Sequence, residues 1–286
     1  MIQGPRYTIR AIETGTFTLD GGAMFGVVPK ALWQQKIPAD ERNGIRLAMR
    51  ALLLVSDERR VLVDCGLGIG HDPRWARHYD LQPPESVLLD SLAAAGVTPA
   101  DVTDLIATHL HFDHTGGMTR PGEGADAGRL VPTFPAARHH VQRVQLEHAF
   151  TPTPKDRASF LVTRFQPVRD AGLFQVVDGA AEIVPGVHVV PVSGHSPGMQ
   201  IVRVIDGPID LLYLADLVPT AAHLPVPWVM AYDNEPLVTL REKEALVLPH
   251  AAAGGILAFE HDPALAAGRF QWIDGKPVLL EEVDLS

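Results

Sequence analysis

Short apolar runs rich in β-favouring residues, separated by glycine, proline and acidic turns, set the pattern of this chain. Residues 7–20 (YTIRAIETGTFTLD) alternate polar and apolar groups, which predicts an antiparallel strand pair at a sheet edge. Residues 46–56 and 60–64 are apolar runs on either side of Asp57-Glu58-Arg59 and predict a hairpin of buried strands. The β pattern resumes from Leu173 with FQVVDG, EIVPGVHVVPV (turning at Pro185-Gly186), QIVRVID and DLLYLAD. The strand GILAFE follows later, and RFQWIDGKPVLLEEV predicts a closing hairpin through Asp274-Gly275.

Helical spacing is confined to shorter stretches. Residues 85–96 place Val87, Leu88, Leu92 and Ala95 on one face, with Gly96 as the C-terminal cap. Pro99 opens a helical turn over 98–101. Residues 141–150 form a further helix after a strand carrying His139 and His140, and residues 235–248 set Leu237, Leu240, Ala245 and Leu248 against a charged REKE face. Residues 21–26, an apolar glycine-rich loop, read either as a turn over the core or as a pocket wall built from Met24 and Phe25. Residues 30–44 read as a lid or an oligomer contact, for instance in a homodimer. Residues 118–129 read as a flexible insertion, and 151–167, with three prolines, cannot be one continuous helix and either border a site or only pack. Two β-rich halves without a composition shift between them predict one α/β domain over 1–286, two sheets face to face with helices outside.

Composition narrows the function classes. A hydrophobic content of 46% in 286 residues supports a sizeable core. The formal charge of −10 and the lack of a long basic run argue against nucleic acid as a partner, because such binding needs clustered Lys and Arg. No segment reaches the ~20 apolar residues of a membrane span. The opening MIQGPRYTIR lacks the pattern of a signal peptide, and the default expectation is a cytoplasmic protein. The single Cys65 rules out an intrachain disulfide, and reads as a small buried residue or a neighbour of the site described next.

Candidate chemistry concentrates in residues 108–117, THLHFDHTGG. His109, His111, Asp113 and His114 follow the apolar run Leu105-Ile106-Ala107, so a buried strand should open into a loop whose side chains converge. Imidazole and carboxylate at that density suit zinc, and after it iron or manganese. On a regular strand His114 would point away from the other three, so the chain must turn there, and Gly116-Gly117 permits a close backbone approach.

This stretch resembles the HxHxDH signature of the metallo-β-lactamase-fold hydrolases. The likeness extends from about Leu52 through VSGHSPG, LLYLADL and ILAFEHDP, which supply His195, Asp216 and His261. The resemblance implies a four-layer αββα sandwich of two mixed sheets and two divalent metal ions. It assigns His109, His111 and His195 to one ion and Asp113, His114 and His261 to the other, with Asp216 bridging. Asp64, in Asp64-Cys65-Gly66, would orient the ligand loop rather than bind metal, the alternative being a turn-capping residue. A water between two such ions loses its proton near neutral pH, against about 15.7 in bulk, so the implied nucleophile is hydroxide.

Within the superfamily the closest resemblance is to lactonases that open acyl-homoserine lactones and to related phosphotriester and aryl-ester hydrolases. A glyoxalase-II-like thioesterase and a di-iron redox enzyme are the alternatives; a non-catalytic module would have lost ligands. The expected substrate is a small neutral ester or lactone whose apolar part meets Met24, Phe25 and either Trp228 or Phe160. Asp113 and Asp216 are the expected catalytic carboxylates, and whether Tyr213 or Tyr232 assists is left open.

Overall fold

The computed structural model describes residues 1–83 and 85–286. Two seven-stranded sheets form its centre. The first runs in the spatial order Ile2–Gln3, Thr8–Asp20, Gly44–Val55, Arg60–Val63, Asp104–Ile106, Arg138–Gln142, Phe174–Val177. Its pairing is antiparallel as far as Arg60–Val63 and parallel beyond. The second runs Ala181–Val184, Val187–Val192, Met199–Asp206, Ile209–Tyr213, Ile256–Ala258, Ala267–Ile273, Lys276–Glu282, with one parallel pairing, Ile209–Tyr213 on Ile256–Ala258. Both sheets are therefore mixed.

The side-chain period of two sorts each strand between two cores. Leu52, Leu54, Val61 and Val63 point into the layer between the sheets, where Val189, Val202, Val204 and Leu211 meet them. Leu53 and Leu62, one residue away, face outward onto Leu88, Leu92, Phe165 and Val168 of the helices Leu88–Ala94 and Val162–Asp170. Helix Leu248–Ala252 covers the outer face of the second sheet, Ala251 packing with Leu212 and Leu257. Strands buried on both faces are apolar at every position, which is why these runs lack alternation. Each fully buried Leu or Val there contributes about 1.5–3 kcal/mol relative to exposure. The layers are thus helix, sheet, sheet, helix, as expected.

Several local expectations are corrected. Residues 8–20 are one strand, not a pair, and the polar alternation arises because Thr8–Asp20 pairs along its whole length with Gly44–Val55, a bulge between Glu13 and Gly15 shifting the register. Residues 21–25 are a short helix rather than a loop, its first turn capped by the Asp20 carboxylate accepting from Ala23 N at 2.8 Å. Residues 118–129 are not a loose insertion: Thr119–Pro121 pairs with Leu130–Pro132 as a small hairpin. Phe174–Val177 joins the first sheet, not the second, because the preceding helices return the chain parallel to Arg138–Gln142. The late helix Pro236–Glu242 widens into a π turn over Lys243–Val247 before continuing as Leu248–Ala252. The hairpin at residues 55–60 and the closing turn, with Asp274 and Gly275 both at positive φ, match expectation. Among the described residues no helix is long and apolar enough to cross a membrane.

Candidate metal centre

The candidate ligands all lie just beyond the C-terminal ends of central strands. Asp104–Ile106 leads to His109 and His111, Val187–Val192 to His195, Ile209–Tyr213 to Asp216, and Ile256–Ala258 to His261. The predicted turn after His111 is one short helix, Phe112–Thr115, with His111 as its N-cap. It swings His114 back toward the others. The glycine pair lets this loop rest on residues 65–67: a Cβ at Gly116 would stand 2.1 Å from Leu67 O, and one at Gly117 2.3 Å from Cys65 O. Asp216 sits in a 3-10 turn after Ala215, which holds φ +44, a left-handed conformation unfavourable for alanine that aims the next side chain inward.

Seven side chains converge in two groups. His109, His111 and His195 meet Asp216, and Asp113, His114 and His261 form the second set. His111 Nδ1 lies 3.0 Å from His109 Nε2 and 3.2 Å from His195 Nε2. Asp216 faces both sets: Oδ2 is 3.2 Å from His195 Nε2, while Oδ1 is 3.2 Å from His261 Nε2 and 3.6 Å from His114 Nε2. Asp113 Oδ2 lies 3.7 Å from His261 Nε2. All seven are buried.

The outward nitrogens fix the tautomers. His261 Nδ1 can only donate to the Ala48 carbonyl, at 2.8 Å. His195 Nδ1 lies 3.1 Å from Asp233 Oδ1, and His114 Nδ1 lies between Asp64 Oδ2 at 3.2 Å and Glu260 Oε2 at 2.8 Å. His109 Nδ1 is 3.1 Å from the Thr108 hydroxyl, whose own proton goes to Asp64. Protons on those outer atoms leave lone pairs on the inner nitrogens, and His114 Nε2 and His261 Nε2 face each other at 3.2 Å. Asp216 Oδ1 is buried without a hydrogen-bond donor. Converging lone pairs and an unpartnered carboxylate oxygen require cations between them, so the donor set fits divalent metal.

The electrostatics of the metal-free site divide. Burial would lower His114 and His261, but Glu260, Asp113 and Asp216 hold His114 well above the ordinary histidine range, and Asp216 and Glu260 push His261 up to about 9, so that without a cation these rings take up the positive charge as protons. Burial and the neighbouring imidazoles push His109 and His111 well below the ordinary histidine range, which favours the unprotonated, ligating form. Burial alone would raise the Asp216 carboxyl, but His114, His195 and His261 outweigh it and hold it well below the carboxylate range.

Asp64 lies beside the ligand loop, its two oxygens accepting from Thr108 N and Thr108 Oγ1 at 2.8 and 2.6 Å. The Cys65 side chain belongs to the outer core of the first sheet, and only its backbone N–H supports the site, donating to His114 O at 2.7 Å.

A cavity of about 220 Å³ opens onto the ligands. Met24 lines it with Phe112, Met230, Tyr79 and Tyr232. Phe25 does not: its ring is stacked between Trp33 and His223, at centroid distances of 5.2 and 4.4 Å, so the wall has Met24 in front and Phe25 in the core behind. Neither Trp228, edge-on to Phe25, nor Phe160, edge-on to His111, is among the lining residues. Tyr213 also points away, its hydroxyl 2.6 Å from Arg50 O and 2.7 Å from Glu260 Oε2. Tyr232 does border the cavity, and burial pushes its phenol up to about 12, so it is a hydrogen-bond donor at neutral pH.

Lys155, Asp156, Ala158 and Ser159 form one wall, so the proline-rich segment borders the cavity. Lys155 Nζ donates to the carbonyls of Tyr232 and Asp233, and Asp156 accepts from Asn234 Nδ2 at 2.8 Å, tying this wall to the one opposite. Sequence reasoning missed Glu260, Asp233 and Asp156. Glu260 carried a signal, as a carboxylate beside His261 after an apolar strand; Asp233 and Asp156 lie in loops without one.

Residues 50–253 match the Metallo-beta-lactamase superfamily. The N-acyl homoserine lactonase AttM of Agrobacterium fabrum is 29% identical over 163 residues, 52% of this chain and 56% of that one, so the match spans little more than half of that relative. A probable metal-dependent hydrolase from Staphylococcus aureus is similar over 99% of this chain and 100% of its own, with 28% identity and a TM-score of 0.87. The structure of AidC, a dizinc quorum-quenching lactonase bound to a homoserine product, covers 100% of this chain and 97% of its own at a TM-score of 0.80 and 17% identity, a likeness of fold. With its layers, strand-end ligands and matched residues, the chain belongs to the metallo-beta-lactamase superfamily.

Proposed function

We propose that this protein is a dinuclear metal-dependent hydrolase that opens small neutral esters, foremost lactones of the acyl-homoserine type. The observation that carries the reading is Asp216, whose two oxygens each approach a different histidine set within 3.2 Å. His109, His111 and His195 would hold one ion, Asp113, His114 and His261 the other, with Asp216 between them. Zinc suits this nitrogen-rich donor set best, with iron or manganese next. Bound there, two divalent cations supply Lewis acidity and lower the pKa of a coordinated water.

The chain's own groups do the rest. Met24, Phe112 and Met230 offer apolar surface for an acyl chain and keep bulk water from the reacting carbonyl. The Tyr232 and Tyr79 hydroxyls border the same space as donors to carbonyl oxygens of the substrate. Asp113, both a candidate ligand and a cavity residue, is placed to hold the proton released from water and return it to the ring oxygen as the ester C–O bond breaks. That the similar AttM and AidC are lactonases supports the lactone reading for this site.

The test has two arms. Protein purified without chelator should contain roughly two metal ions per chain by elemental analysis, and a fixed content near one defeats the dinuclear reading. The metal-loaded protein, given lactones, thioesters, aryl esters and phosphotriesters, should open lactones fastest. Efficient turnover of a thioester without lactone opening would replace the substrate assignment and leave the metal reading standing.

A further inference from the structure

Glu260 is a fully buried carboxylate that no step above uses. Its Oε2 lies 2.8 Å from His114 Nδ1 and 2.7 Å from the Tyr213 hydroxyl, while its Oε1 has no partner. Among the described residues its only ion-pair neighbour is His114. A buried carboxylate needs compensating charge, and here the only route to one runs through the His114 ring to the cation site at Nε2.

Asp64, the carboxylate on the same nitrogen, is differently engaged. Both its oxygens already accept from Thr108, and its contact with His114 is the longer, at 3.2 Å. The two acids therefore divide the work: Asp64 ties down the backbone that carries His109, and Glu260 stands behind the His114 ring. The Tyr213 hydroxyl, on the strand below, has one proton to give and sits between Glu260 Oε2 at 2.7 Å and Arg50 O of the opposite sheet at 2.6 Å, which fixes the position of Glu260.

We propose that Glu260 is a positioning residue that tightens one of the two ion sites, the one built on Asp113, His114 and His261, by acting through His114, with Tyr213 as its support. The proposal rests on the dinuclear reading above. A carboxylate behind a ligating imidazole orients the ring and raises its basicity, and losing such a partner typically costs 10–100-fold in metal affinity. The effect is local, because Glu260 does not touch His109, His111 or His195, of which His109 and His195 have Thr108 and Asp233 as their outer partners.

The experiment is a titration of chelator-stripped protein with Zn2+ against a competing chelator, resolving two binding steps. Glu260→Gln should weaken one step 10–100-fold and leave the other unchanged. Tyr213→Phe, a gentler change that keeps the packing, should weaken the same step by a smaller factor. Adding Asp233→Asn, which removes the partner of His195, should weaken the second step independently. Near-ultraviolet circular dichroism of each stripped variant establishes that it is folded. Equal loss of both steps in folded Glu260→Gln, or no loss in either, overturns the proposal. Wild-type protein taking up a single ion defeats the dinuclear reading, and the proposal with it.

Discussion

Asp233 Oδ1 stands 3.1 Å from His195 Nδ1, on the side of the ring away from the metal-facing Nε2, while Asp233 Oδ2 accepts from Met230 N at 3.2 Å. One carboxylate thus orients a candidate ligand and fixes a residue of the cavity wall. Asp233→Asn keeps the shape and removes the charge. Zn2+ affinity at the His195 site should fall 10–100-fold, measured by chelator competition. The KM for an acyl lactone should rise as well, since Met230 loses its anchor. Unchanged metal affinity would show that Asp233 serves the loop alone.

Met24 and Phe25 should separate function from packing. Met24→Ala removes apolar surface from the cavity, so the gain in kcat/KM with each added acyl methylene, expected at up to about fourfold for about 0.8 kcal/mol, should shrink. Phe25→Ala leaves that dependence alone and costs roughly 3–5 kcal/mol of stability, because its ring fills the core between Trp33 and His223. Steady-state kinetics over an acyl series and urea unfolding distinguish the two. A Phe25→Ala protein of normal stability with altered chain-length preference would return Phe25 to the pocket.

Lys243 is 1% exposed, and its Nζ lies 2.6 to 3.2 Å from the carbonyls of His223, Pro225, Val226 and Trp228, three protons shared among four acceptors. One ammonium therefore holds the segment that leads into Met230 and Tyr232. Lys243→Met strands several buried carbonyls, at about 1–3 kcal/mol for each left unsatisfied. Hydrogen exchange should quicken through residues 223–232 while the histidine sites keep their metal affinity. Unchanged exchange there would mean that the loop needs no such clamp.

Asp156 carries an acid sensitivity. Burial would raise its carboxyl, but hydrogen bonds from His148, Thr153 and Asn234 outweigh burial and lower it from 3.8 to about 2. A folded-state value below the unfolded one means that the unfolded chain takes up the proton first as pH falls. The stabilisation is therefore complete above about pH 4 and lost as pH drops through about 2, and amounts to on the order of 2 kcal/mol. Urea unfolding of chelator-stripped protein between pH 4 and pH 2 should show wild type losing that much more stability than Asp156→Asn. Parallel losses in the two proteins would sink the assignment.

How much of this was legible beforehand depended on range. The THLHFDHTGG loop announced itself because four donors and two glycines lie in one short stretch, and the strands around it because apolar runs bounded by turns have few other readings. Thr8–Asp20 was misread as two strands because a bulge at Glu13 and Gly15 looks, in one dimension, like a turn. Phe174–Val177 was assigned to the wrong half because sheet membership depends on a partner far away in sequence. Phe25 was misplaced because adjacent residues on a helical turn point in different directions, and only the fold decides which meets the cavity. Glu260 and Asp233 act through contacts that span 146 and 38 residues, beyond any local pattern.

His109, His111, Asp113 and His114 extend from the first sheet, whereas His195, Asp216 and His261 extend from the second. A cation held among them is a crosslink between two layers that also meet at this end through hydrogen bonds such as Tyr213 Oη to Arg50 O and His261 Nδ1 to Ala48 O. Its binding free energy becomes a term in the cohesion of the whole molecule, obeying mass action: each tenfold rise in free metal above the dissociation constant adds about 1.4 kcal/mol per site to the unfolding free energy. Thermal resistance then becomes a gauge of ambient metal, and starvation for the ion becomes a route to proteolytic turnover before it is merely a loss of catalysis.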